Sequence, residues 1–161
     1  MSAFTLFHVA LSLVGIIAGL VVAFAMLSSR SNARMVAVFL WTTLLTSVTG
    51  FFFPFHGFTP AIGVGILSLV ILAPVFYALY ARKLAGPWRW VYVVGSLVAL
   101  YFNFFVLIVQ SFLKIPALHT LAPTGQEPPF AIAQGLALLG FIVLIVLATK
   151  RFRPASAPTR A

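Results

Sequence analysis

AFTLFHVALSLVGIIAGLVVAFAML, Ala3 to Leu27, contains not one Asp, Glu, Lys or Arg. A run that long and that apolar exceeds the roughly 20 residues an α-helix needs to cross a bilayer core about 30 Å thick. It has no basic segment in front and continues too far for a secretory leader, so it is expected to be a retained span. The rest of the chain repeats the pattern. Of its 161 residues, 63% are hydrophobic and 7% charged, against about 25% charged in ordinary soluble domains. A soluble fold of this length could not bury that much apolar surface, which makes lipid the expected solvent.

Five spans follow, at about Ala3–Leu27, Met35–Phe55, Pro60–Tyr80, Trp90–Leu113 and Pro129–Thr149. Unpaired backbone amides are costly in hydrocarbon, so each span should be helical. Short connections make consecutive helices antiparallel neighbours. The expected fold is all-α: a compact bundle of five transmembrane helices in one domain, 1–149, followed by a basic, disordered tail, 150–161. No internal repeat is evident, which removes support for a transporter built from inverted halves.

The cations set an orientation. Arg30 and Arg34 follow the first span, Arg82, Lys83 and Arg89 the third, and Lys150, Arg151, Arg153 and Arg160 the fifth. Only Lys114 falls on the other side. Nine against one places the carboxyl terminus in the cytoplasm and the amino terminus outside an inner membrane, because basic residues are retained on the cytoplasmic side. The formal charge of +9 therefore points to anionic lipid headgroups and not to nucleic acid. Tyr80, Trp88, Trp90 and Tyr92 form the matching aromatic belt. With no cysteine in the chain, disulfides and thiolate chemistry are excluded.

Helices in lipid associate through small and polar residues, so these mark the inward faces. On the first span Thr5, His8, Ser12, Gly15 and Gly19 share a stripe, and Gly15–Gly19 is a GxxxG pair. It can serve packing within the bundle or a homodimer seam. The second carries the hydroxyl rows Thr42, Thr46, Thr49 and Thr43, Ser47. The third contains Pro74, expected to bend its cytoplasmic end. The fourth aligns Tyr92, Ser96, Ala99, Asn103, Gln110 and Lys114. Asn103, near mid-membrane, needs a hydrogen-bonding partner. On the fifth, Gln134 points into the membrane, and Ala133, Ala137 and Gly140 form a small-residue edge expected to pack against another helix.

A rise of about 1.5 Å per residue puts His8, Thr49, Gln110 and Gln134 within one or two turns of the outer ends of their helices. His56, His119 and Glu127, the only acidic residue, lie in outer loops above them. Glu127 is expected beside the amino end of the fifth span, where the helix dipole favours a carboxylate, with Lys114 or a histidine as partner. Folding of the loop Lys114–Pro128 over this layer would close an outward-facing pocket. The candidate ligand-binding set is His8, Thr46, Thr49, Asn103, Gln110, His119, Glu127 and Gln134. His8, His56, His119 and Glu127 could in principle ligate a metal, but they come from separate segments without paired spacing. No cofactor is required.

The expected function is non-enzymatic: holding an apolar molecule of lipid or quinone type, or serving as a subunit or homo-oligomer in a larger membrane complex. A small transporter or channel is the first alternative, although intramembrane charges are missing. A membrane enzyme or haem or metal protein built on the outer His/Glu/Gln layer is the second.

Overall fold

The computed structural model describes residues 2–54, 57 and 59–153, and these contain helices and no strand. The helices are α1 (Ala3–Leu27), α2 (Ala33–Gly50), α3 (Pro60–Phe76, continuing as a π-turn over Tyr77–Ala81), α4 (Trp88–Lys114), the single turn α5 (Pro116–His119) and α6 (Pro128–Arg151). Five of them, counting α3 with its π-turn, are long and apolar enough to cross a membrane. His56 and the tail from residue 154 lie outside the described residues.

Local chemistry sets the helix ends. Ser2, Asn32 and Thr59 each accept a hydrogen bond from the amide three residues on, capping α1, α2 and α3. Prolines occupy the first turns of α3, α5 and α6, where an amide hydrogen has no helical partner anyway. α2 stops at Gly50, five residues short of the expected Phe55, and Phe51 and Phe52 form a turn. The apolar run continues, but Pro54 clashes with helical backbone before it and disfavours helix at Phe53. α4 begins at Trp88 and α6 runs to Arg151, so Lys150 and Arg151 close a helix instead of opening a tail. In α3 the helix continues past Pro74 and then widens: Arg82 N–H donates to Tyr77 O at 3.0 Å, an i→i+5 bond. A proline upstream has removed one amide from the regular ladder, and π-turns are a known way for a helix to accommodate such a disruption.

α4 is the central helix. It packs against α1, α2, α3 and α6, whereas α3 and α6 do not touch. Hydrogen bonds fix which ends lie together. Ser29 Oγ donates to Arg153 O and accepts from Arg153 N–H, each at 2.9 Å. The Arg89 guanidinium donates to Thr149 O at 3.2 Å and also to Phe152 O. These contacts gather the α1–α2 turn, the α3–α4 connection and the end of α6 at one end of the bundle. Eight described cations cluster there. Lys114 stands at the opposite end, where His8 meets Thr49.

Glycine permits the tightest contacts. A Cβ on Gly19 would stand 2.5 Å from Leu100 Cδ1 and 2.9 Å from the Phe39 ring, and one on Gly15 3.0 Å from Thr42 Oγ1. The GxxxG face of α1 therefore packs within the bundle, onto α2 and α4. Gly95 does the same for α3: its Cβ would lie 2.4 Å from Val75 Cγ2.

The two halves of the bundle are packed differently. The continuous core consists of Ala18, Val22, Ala23 and Met26 of α1, Val36, Phe39 and Leu40 of α2, Leu72, Val75 and Ala78 of α3 and its π-turn, Tyr92, Val93, Leu97, Ala99 and Leu100 of α4, and Phe141, Ala148 and Phe152. Nearly all of this belongs to the basic half. Every residue of α4 from Tyr101 to Gln110 is only partly buried. The helices close on each other at the basic end and leave room at the other.

Candidate functional site

That room takes a definite form between α1, α4 and α6. An open groove of about 560 Å³ is lined by Phe104, Leu107, Ile108, Ser111 and Phe112 of α4, by Ala133, Ala137, Gly140, Phe141 and Leu144 of α6, and by Leu20 and Leu118. Ala133, Ala137 and Gly140 recur at helical spacing, and the expected role of that edge was close packing. In the structure no helix fills the space in front of them: a Cβ on Gly140 would meet nothing within 4 Å. Small side chains enlarge a gap as readily as they close one. Which they do depends on the facing helix, and here α1 offers only Leu20. The walls are otherwise aliphatic and aromatic. Ser111, the one polar side chain, donates its hydroxyl hydrogen to Leu107 O at 2.7 Å.

The polar residues singled out in the sequence are not among the groove's lining residues. They do not form one layer but separate into interhelical pairs. His8 Nδ1 is 2.8 Å from Thr49 Oγ1. Thr49 already donates to Leu45 O at 2.7 Å, so its single hydrogen is committed and His8 must be the donor at Nδ1. A neutral His8 then carries its lone pair on Nε2. Phe53 stands edge-on to the imidazole with ring centroids 5.0 Å apart.

Deeper in the bundle, Asn103 Nδ2 donates to Thr43 Oγ1 at 3.1 Å, tying α4 to α2. Thr46, one turn along α2, has its hydroxyl buried without a partner. Gln134 Nε2 donates to Phe105 O at 3.2 Å, while its Oε1 is buried and unpartnered. Gln110 has no hydrogen-bond partner among the described residues, and His119 is exposed.

Among the described residues, Glu127 pairs with neither Lys114 nor a histidine. It is the N-cap residue of α6, with extended backbone ahead of Pro128. Its carboxylate folds back onto its own turn. Oε1 accepts from Thr124 N–H at 3.0 Å and from the Thr124 hydroxyl at 2.9 Å, and Oε2 accepts from Gln126 N–H at 3.0 Å. Desolvation pushes this carboxyl up, but the amides of Thr124, Glu127 and Gln126 and the Thr124 hydroxyl outweigh it and hold the group down at about 2. The loop from Lys114 to Pro128 packs its single turn, α5, on α4 alone. It contributes Leu118 to the groove instead of covering His8.

Among the described residues no three histidines or acids gather at one point. Sequence reasoning passed over Thr43 as the partner of Asn103 and Gly95 as the contact point for α3. Both were visible as small or hydroxyl positions on faces already marked inward. It also passed over Arg89, whose place just inside α4 put its guanidinium within reach of the carbonyls that end α6. Compared with family models, curated proteins and solved structures, the chain shows no match.

Proposed function

We propose that this chain is a non-enzymatic, multi-pass inner-membrane protein that holds the apolar chain of a lipid- or quinone-type molecule in the groove between α1, α4 and α6. One observation carries the reading: a row of small residues, Ala133, Ala137 and Gly140, faces open volume where a membrane bundle would ordinarily bring two helices together. The volume of about 560 Å³ falls in the range of roughly 300–1,000 Å³ typical of small-molecule sites. Along α6 the lining runs from Ala133 to Leu144, about 16 Å at 1.5 Å per residue. The charge asymmetry supports an orientation with the basic end in the cytoplasm and the groove in the outer half.

The test is Gly140→Leu, which adds a side chain where the structure has space for one. Protein purified in mild detergent should release a stoichiometric apolar molecule on organic extraction, and the variant should release little. Equal retention by folded wild type and variant would remove the groove as the binding site.

A further inference from the structure

We infer that the occupant of the groove is one acyl chain of an outer-leaflet phospholipid with an anionic headgroup, whose phosphate is met by Lys114. This rests on the groove reading above and narrows it.

The interior of the groove offers nothing to a polar ring. Of its twelve lining residues only Ser111 is polar, and its hydrogen is committed to Leu107 O. A quinone ring drawn inside would leave its carbonyls without donors, which is costly in an apolar site. The polar part of any occupant therefore belongs at the mouth.

Length selects the chain. The lining extends about 16 Å along α6, and one leaflet of a core about 30 Å thick is about 15 Å deep. The groove begins near the end of α4 and stops near the middle of the bundle, at Leu20 and Leu144. An acyl chain anchored at the interface spans that distance and no more.

Charge selects the head. Leu107 and Ser111 line the groove, and Lys114 continues their row on α4 at the next turn, so the register carries it to the mouth. Leu118, which closes that end, follows Lys114 by one turn of chain. Lys114 is exposed and is the only described cation at this end. The one carboxylate side chain in the protein, Glu127, is engaged by Thr124 and Gln126. It forms no ion pair with Lys114. Lys114 therefore has no ion-pair partner among the described residues, and a phosphate diester with no balancing ammonium complements it better than a zwitterionic head does.

The experiment uses the full chain in nanodiscs containing trace phosphatidylglycerol or phosphatidylcholine with a diazirine in the acyl chain. Crosslinks are located by peptide mass spectrometry. In the wild type, phosphatidylglycerol should label Phe104–Phe112 and Ala133–Leu144 several-fold more than phosphatidylcholine does. Lys114→Gln should bring the ratio to about one without lowering phosphatidylcholine labelling. Gly140→Leu should suppress labelling of these segments by both probes. If both probes label wild type equally, or Lys114→Gln leaves the preference intact, the headgroup inference is overturned. In that case suppression by Gly140→Leu would still uphold the groove. If Gly140→Leu changes nothing, the groove reading itself falls. Displacement of the phosphatidylglycerol probe by a polyprenyl quinone at lower concentration than by unlabelled phosphatidylglycerol would overturn the choice of a phospholipid.

Discussion

Asn103 and Thr43 offer the sharpest test of how the bundle is held together. Thr43 is fully buried, and its Oγ1 receives the Asn103 amide at 3.1 Å. Replacing Asn103 by leucine leaves that oxygen in a dry interior without its donor, a loss of about 1–3 kcal/mol for an unsatisfied buried group. Interhelical polar contacts in membranes measure less, averaging about 0.6 and reaching about 1.7 kcal/mol, because the unfolded chain in a membrane also finds partners. Complete burial of Thr43 places this pair in the upper part of that span, so Asn103→Leu should cost about 1–1.5 kcal/mol. Thr43→Val should cost somewhat less, since the Asn103 amide is only partly buried. The double variant replaces both partners by apolar groups and should lie close to the better single one. The coupling energy is then about 1 kcal/mol, near fivefold in the unfolding constant. Steric trapping or denaturing-detergent titration in micelles would read it. Strictly additive single costs would show that the two side chains do not interact, and that α4 is turned away from α2.

Three further outcomes follow from the same geometry. Gly19→Ala drives a methyl into Leu100 and Phe39, both buried without slack; overpacking of about 1–3 kcal/mol should appear in the same titration, and an unchanged midpoint would show that α1 does not approach α4 there. The Glu127 carboxyl, followed by carbon NMR, should titrate near 2 and rise toward the ordinary carboxylate value in Thr124→Ala. Because its folded value is depressed, the stability it contributes is fully present above about pH 4.5 and disappears as pH falls toward 2; titration near the ordinary value in the wild type would contradict the self-closed turn. A reporter that works only in the cytoplasm, fused after Ala161, should be active, and activity of a periplasmic reporter there would reverse the proposed orientation.

The number of long apolar helices was legible because hydropathy acts along the chain: an uninterrupted apolar run needs no knowledge of its neighbours. The need of Asn103 for a partner was legible for the same reason, since a polar amide in an apolar helix must be satisfied somewhere. Its identity as Thr43 required the rotation of α2 against α4. The end of α2 was misjudged because Phe51–Phe55 prolongs the apolar signal, while Pro54 breaks the helix by sterics that hydropathy does not register. Glu127 was expected beside the amino end of the fifth span with Lys114 or a histidine as partner; it stands at that end, but donors three residues and one residue away satisfy its carboxylate. Ala133, Ala137 and Gly140 show the limit most clearly. Their spacing says that one face of α6 is thin. Only the position of α1, which reaches the face through Leu20 alone, makes that thinness a groove instead of a seam.

The open half of the bundle is proposed to hold a chain-like apolar molecule between α1, α4 and α6. An electron cryomicroscopy structure of the protein in lipid nanodiscs, enlarged by a rigid binding partner at its basic end, tests this directly. A single elongated density should lie along α6 from Ala133 to Leu144, in contact with Leu20 and Phe141, with its head beside Lys114. Closure of the groove by α6 moving onto α1, or its occupation by a helix of a second subunit, would contradict it.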